Sequence, residues 1–210
     1  MSDIINKFRK LKIIPVVTIN KISEAEPLAE AFAAGGLPCA EITLRTDSGL
    51  DAIRLLSKNS SLLLGAGTVL TVDQASAARD AGAQFVVSPG FNPKVVRHCQ
   101  KLNIPIFPGI SNPTDIEMAL EAGLTHLKFF PAEAYGGIKT LKALGAPYHM
   151  VNFIPTGGIT ADNINDYLGL DTVIACGGSW MVKSEWLENN RFDKVLESVK
   201  IAVKKVGSHE

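Results

Sequence analysis

Residues 39–69 read CAEITLRTDSGLDAIRLLSKNSSLLLGAGTV. Residues 39–44 alternate in polarity and are rich in strand formers, and residues 62–69 are a second short apolar run. Between them SGLDAIRLLSK has helical spacing, and Ser48 stands at its start as a capping residue. A strand, a helix and a strand in this order form a crossover unit, in which the two strands run parallel.

The same unit repeats outward in both directions. Strand-like runs stand at residues 13–19, 85–88, 104–107, 126–130, 152–156 and 173–176, which with the first two make eight. Helical spacing fills the intervals, as in SEAEPLAEAFAAGG, TVDQASAARDAG and NPTDIEMALEAG. Ser23, Thr71, Asn112 and Thr160 read as helix caps, and Gly35, Gly36, Gly82 and Gly123 as helix stops. Eight units in 210 residues predict an α/β fold, a (β/α)8 TIM barrel, as one domain over residues 1–210. The alternative is an open doubly wound sheet. Its G-x-G-x-x-G turn is missing after the first strand, where NKISEAE follows. The N-terminal segment and the C-terminal FDKVLESVKIAVKKV read as extra helices on the barrel.

Composition narrows the function. Apolar residues make up 46% and charged residues 20%, enough for a buried core in a water-soluble chain. Lys plus Arg equals Asp plus Glu at 21 each, so no net charge favours nucleic acid or an anionic membrane as partner. Any anionic ligand must be held by local groups. Cys39, Cys99 and Cys176 lie far apart without a C-x-x-C pattern, which argues against a disulfide scaffold and fits a reducing compartment. The first residues, MSDIINKFRKLK, lack the apolar stretch of a secretory signal. No apolar run reaches membrane-spanning length, and VKKVGSHE reads as a helix end with a short polar tail. The expectation is a cytoplasmic protein.

Barrels bind ligands at the C-terminal ends of their strands. Here those ends read EITLRT, GAGTV, SPG, PGIS, KFFPAE, PTGGI and GGSW. Lys128 lies inside the strand-like run HLKFFP. Period-two alternation sends Leu127 and Phe129 to the helices and His126, Lys128 and Phe130 inward. A buried ammonium is costly, and burial favours the neutral amine that a Schiff-base lysine needs. A snorkelling or salt-bridged lysine is the alternative. On residues 39–45 the same alternation sends Glu41, Thr43 and Arg45 inward, toward the cavity of Lys128. Glu41 is suited to moving protons and Arg45 to a bidentate grip on a carboxylate or phosphate. The alternative is an internal Glu41–Arg45 ion pair. Gly157 and Gly158 follow the seventh strand, and Gly177, Gly178 and Ser179 stand at the eighth. Glycines at these two ends let backbone amides approach a phosphate, although turns also use glycine freely.

GLPCAEITLR at residues 36–45 resembles the glutamate-bearing signature of the 2-keto-3-deoxy-6-phosphogluconate (KDPG) aldolases. GLTHLKFFPA at residues 123–132, followed by Gly136, resembles their Schiff-base lysine signature. GAGTVL, SPG, PTGGI and GGSW are similar to that family as well, in order across residues 36–180. The resemblance implies a cofactor-free, metal-independent class I aldolase, usually a homotrimer. It would cleave KDPG to pyruvate and D-glyceraldehyde 3-phosphate, as the last step of the Entner–Doudoroff pathway. Cleavage of 4-hydroxy-2-oxoglutarate (KHG) to pyruvate and glyoxylate accompanies it in many members. By motif position Lys128 would be the nucleophile and Glu41 the general acid and base. Arg45 and Thr68 would hold the pyruvate carboxylate, Pro89 and Phe130 would pack on the pyruvyl part, and Thr156 would line the site. Gly157, Gly158, Gly178 and Ser179 would receive the phosphate.

The remaining residues have quieter readings. His98, His126, His149 and His209 lack metal-ligand spacing, and His126 reads as a hydrogen-bonded core histidine. Cys39 and Cys176 read as buried small hydrophobes, and Trp180 and Trp186 as core or interface cover. Three other functions compete: an aldolase for the galactonate epimer, a phosphosugar isomerase or epimerase without a covalent lysine, and a non-catalytic phosphate-ligand binder.

Overall fold

The computed structural model describes residues 2–58 and 61–207, so the expected polar tail at 208–210, with His209, lies outside the described residues. Its strands are β1 (Ile13–Val17), β2 (Cys39–Thr43), β3 (Leu63–Gly67), β4 (Phe85–Val87), β5 (Ile106–Phe107), β6 (Gly109–Ile110), β7 (His126–Phe129), β8 (Asn152–Pro155) and β9 (Cys176–Gly178). Every pairing between them is parallel. One sheet runs β5-β4-β3-β2-β1-β9 and a second runs β6-β7-β8. β5 falls within the fifth expected strand, residues 104–107, and β6 continues it beyond that expectation past Pro108, which has no N–H for a ladder. β5 pairs with β4 and β6 with β7, so the chain itself carries the ladder from one sheet to the other. The bridges Phe153↔Val173 and Thr156↔Gly177 join the remaining edges. The sheet is therefore a closed barrel.

The last strand is displaced from its expected place at 173–176. Val173 makes only an isolated bridge, while Cys176, Gly177 and Gly178 pair with Ile13, Ile14 and Pro15. Glycine has low strand propensity, so side-chain patterning stops short of a strand that backbone pairing extends. Two of the expected caps act as such. Thr71 Oγ1 accepts the Gln74 N–H at 3.1 Å, and Asn112 Oδ1 accepts the Asp115 N–H at 3.0 Å. Three do not. Ser23 sits inside a 3-10 turn, Ile22–Glu24. Ser48 is already helical, with its hydroxyl on the Asn20 carbonyl at 2.9 Å. Thr160 stands ahead of Asn163, the residue before helix Ile164–Leu168. Short polar side chains bond loop backbone as readily as helix ends.

Alternation along the strands sorts the core into two shells. Ala40, Ile42, Leu64, Val86, Leu127 and Phe129 face out and pack with the helices. Ile14, Cys39, Leu63, Phe85, Phe107 and Ile154 face in and fill the N-terminal half of the lumen. Helix Ser2–Leu11 closes that end, as the extra helix expected there. Its Phe8 ring lies 5.1 Å from the rings of both Phe85 and Phe107. Helix Phe192–Val206 is not an extra. It follows the last strand and packs against helices Ala25–Ala34 and Ile164–Leu168, completing the outer ring of helices. Gly35 lets it approach, since a Cβ there would stand 2.5 Å from Val199. Among the described residues no helix is long and apolar enough to cross a membrane.

Candidate active site

One pleat above the inner apolar shell, the inward positions become polar. Glu41 on β2 and Lys128 on β7 are buried, and Lys128 Nζ lies 3.4 Å from Glu41 Oε1. β2 and β7 are not neighbours in the barrel, so the pair spans the lumen. The sequence prepares the space. A Cβ on Gly67 would stand 2.3 Å from Glu41 Oε1, and one on Gly65 would stand 2.2 Å from the Phe85 ring. The glycines of GAGTV therefore make room for a carboxylate and for the ring beneath it. Lys128 Nζ also lies 5.0 Å from the centroid of the Phe130 ring, within cation–π range. Thr43 is fully buried, with its hydroxyl 3.0 Å from that of Thr18.

Beside this pair a cavity of about 580 Å³ opens at the C-terminal ends of the strands. Arg45, Phe130, Thr156, Gly157, Gly158, Gly178 and Ser179 line it, all of them expected site residues. Arg45 lies past the end of β2, exposed, and pairs with no carboxylate among the described residues. Glu41 therefore pairs with Lys128 rather than with Arg45. Lys128 and Glu41 themselves stand outside this lining, and Phe130 belongs to both groups.

Thr68 and Pro89 stand at the same end of the barrel, after β3 and β4, but do not line that cavity. Thr68 has φ +58°, a conformation that a β-branched residue rarely adopts and that costs about 1–3 kcal/mol. The Val69 N–H, bonded to the Val87 carbonyl at 3.2 Å, helps to fix it. Gly157 and Gly158 have φ +98° and +78°. Their turn is held from below, where the Glu133 N–H donates to the Gly157 carbonyl at 3.1 Å and the Tyr167 hydroxyl donates to the Glu133 carboxylate.

Sequence reasoning missed Thr18, Lys183 and Ser184, which also line the cavity. Thr18 was legible, because it continues the inward series Ile14, Val16, Thr18. Lys183 carries no local signal. Trp180, expected as core or interface cover, lines the cavity too. Its ring lies so close to Gly178 that a Cβ there would stand 1.8 Å away.

The three cysteines are buried, whereas His126, expected in the core, is half-buried. Burial pushes the Cys39 and Cys176 thiols up, with Glu41 adding to the effect at Cys39. Burial takes Cys99 up to about 11. None of the three offers a thiolate near neutral pH. Burial, and then the Arg9 guanidinium, hold His126 below the usual imidazole range, and its Nδ1 lies 3.2 Å from the Thr125 hydroxyl.

The chain is similar to known proteins along most of its length. The sequence model of the family described as KDPG and KHG aldolase matches residues 4–198. A 2-dehydro-3-deoxy-phosphogluconate aldolase of Haemophilus influenzae is 50% identical over 195 residues, 92% of each chain. One of Treponema pallidum is 48% identical over 196 residues, 93% of each chain. The crystal structure of a Legionella pneumophila KDPG aldolase, with pyruvate captured as a covalent carbinolamine, matches with a TM-score of 0.90 at 40% identity. That match covers 93% of this chain and 96% of the other. The chain belongs to the KDPG and KHG aldolase family.

Proposed function

We propose that the protein is a class I aldolase that cleaves KDPG to pyruvate and D-glyceraldehyde 3-phosphate, and KHG to pyruvate and glyoxylate. The observation that carries the reading is the buried Lys128–Glu41 pair, 3.4 Å apart, beside a cavity lined by Arg45, the Gly157–Gly158 turn, Gly178 and Ser179. The names of the Haemophilus and Treponema relatives and the covalent pyruvate in the Legionella enzyme support it.

In this reading the neutral Lys128 amine attacks the C2 ketone and forms a carbinolamine. Glu41 delivers the proton with which the C2 hydroxyl leaves as water, giving an iminium. The iminium accepts the electron pair of the C3–C4 bond as the C4 hydroxyl loses its proton to Glu41. The aldehyde departs, and an enamine remains on Lys128. Protonation at C3 regenerates the iminium, and addition of water releases pyruvate. Arg45 and Thr68 hold the carboxylate, Pro89 and Phe130 pack on the pyruvyl carbons, and Thr156 lines the site. Gly157, Gly158, Gly178 and Ser179 take the phosphate. The fold and chemistry need no cofactor, and the family resemblance extends the reading to a cytoplasmic homotrimer of single-domain chains.

Pyruvate release from KDPG, followed with lactate dehydrogenase and NADH, tests the reading. Turnover by the wild type and none by a folded Lys128→Met variant are expected. A wild type that releases no pyruvate, or a variant that keeps releasing it, would overturn the reading.

A further inference from the structure

The groups assigned to the phosphate are all neutral, namely the Gly157–Gly158 turn, Gly178 at the end of β9 and the Ser179 hydroxyl. A phosphate monoester carries a charge of about −1.5 to −2 at pH 7. The chain has no net positive charge to draw such an anion in, so a cation beside these groups would add an attraction that neutral donors lack. Two cations line the cavity, Arg45 and Lys183, and the lining contains no carboxylate. They follow different strands. Arg45 follows β2, while Lys183 lies beyond β9, four residues after Ser179, and β1 runs between these strands.

We propose that Lys183 is the cation of the phosphate subsite and sets the preference for a phosphorylated substrate, an inference that rests on the aldolase reading above. Lys183 ends the loop that leads from Ser179 into helix Ser184–Glu188. The Val182 N–H, bonded to the Ser179 carbonyl at 3.0 Å, folds that loop back. Lys183 pairs with no carboxylate among the described residues. Its ammonium lies 5.1 Å from the centroid of the Trp186 ring, which stands outside the cavity lining, and that contact leaves the charge unneutralised. The cavity is thereby matched to a substrate with a carboxylate at one end and a phosphate at the other. Lys183 sits away from the reacting carbons, so it acts on binding and leaves the chemistry to Lys128 and Glu41.

The test compares Lys183→Met and Lys183→Arg with the wild type in two assays, steady-state cleavage of KDPG and borohydride trapping of pyruvate, which has no phosphate. Losing a charge-assisted contact at an accessible site is expected to raise KM for KDPG about tenfold in Lys183→Met. Trapping should change far less than KM, and Lys183→Arg should keep KM within about twofold. Added salt should raise KM more steeply in the wild type than in Lys183→Met. An unchanged KM in Lys183→Met, or a parallel fall in KDPG cleavage and pyruvate trapping, would overturn the assignment of Lys183 alone. A wild type that neither cleaves KDPG nor traps pyruvate would overturn the aldolase reading, and this inference with it.

Discussion

Lys128 and Glu41 face each other across a lumen that excludes water from both, with 8% and 4% of their side chains exposed. Such a pair is a poor stabiliser, because desolvating two charges offsets most of their attraction and an apolar pair of similar volume serves a core as well. The proposed Schiff-base chemistry accounts for its presence in the barrel. Removing one partner is a different matter, since the other charge is left buried alone. Lys128→Met is expected to lower stability by about 3 kcal/mol, and Lys128→Met with Glu41→Gln to regain part of that loss. Chemical denaturation of the single and double variants checks this. A double variant no more stable than Lys128→Met would mean that the two side chains do not interact.

At the scale of elements, strand ends carry the strain and the strand interiors carry the fit. Thr68 is held at φ +58° directly after β3. Thr68→Gly removes the steric penalty but loosens the unfolded chain, so a net gain of about 1 kcal/mol is expected. The carboxylate role proposed for Thr68 predicts that KM for KDPG rises at the same time. A variant less stable than the wild type would show that Thr68 is not strained. The strands and their inward faces were legible because a residue's side of the sheet follows from its parity, which placed Glu41, Thr43 and Lys128 correctly. The break at Pro108, the shift of the last strand to Cys176–Gly178 and the loop roles of Ser23, Ser48 and Thr160 were not. They depend on which backbone groups find partners across the barrel, and a local pattern does not carry that. Lys183 was hidden for the same reason. Its place in the cavity comes from how the chain folds after β9, not from any spacing within its own segment.

For the whole molecule, the barrel is filled and plugged at one end and chemically open at the other. Phe8, Phe85 and Phe107 pack edge-on or tilted where helix Ser2–Leu11 closes the floor, and Arg9 of that helix donates to Asn152 at 3.0 Å. His126 lies in the influence of the same arginine, and burial and Arg9 together hold it below the usual imidazole range. The unfolded chain therefore takes up more protons than the folded one once the pH drops below about 6.5. The fold should lose stability as the pH falls from there toward the lower folded value. Urea midpoints at about pH 7.5 and about pH 5 are expected to fall further for the wild type than for His126→Gln, and equal losses would exclude this residue as a cause. The most direct measurement is reduction with borohydride in the presence of pyruvate, followed by peptide mass spectrometry. A reduced pyruvyl adduct on Lys128 is the predicted result. Folded protein with no adduct, or with the adduct on another lysine, would contradict the Schiff-base assignment.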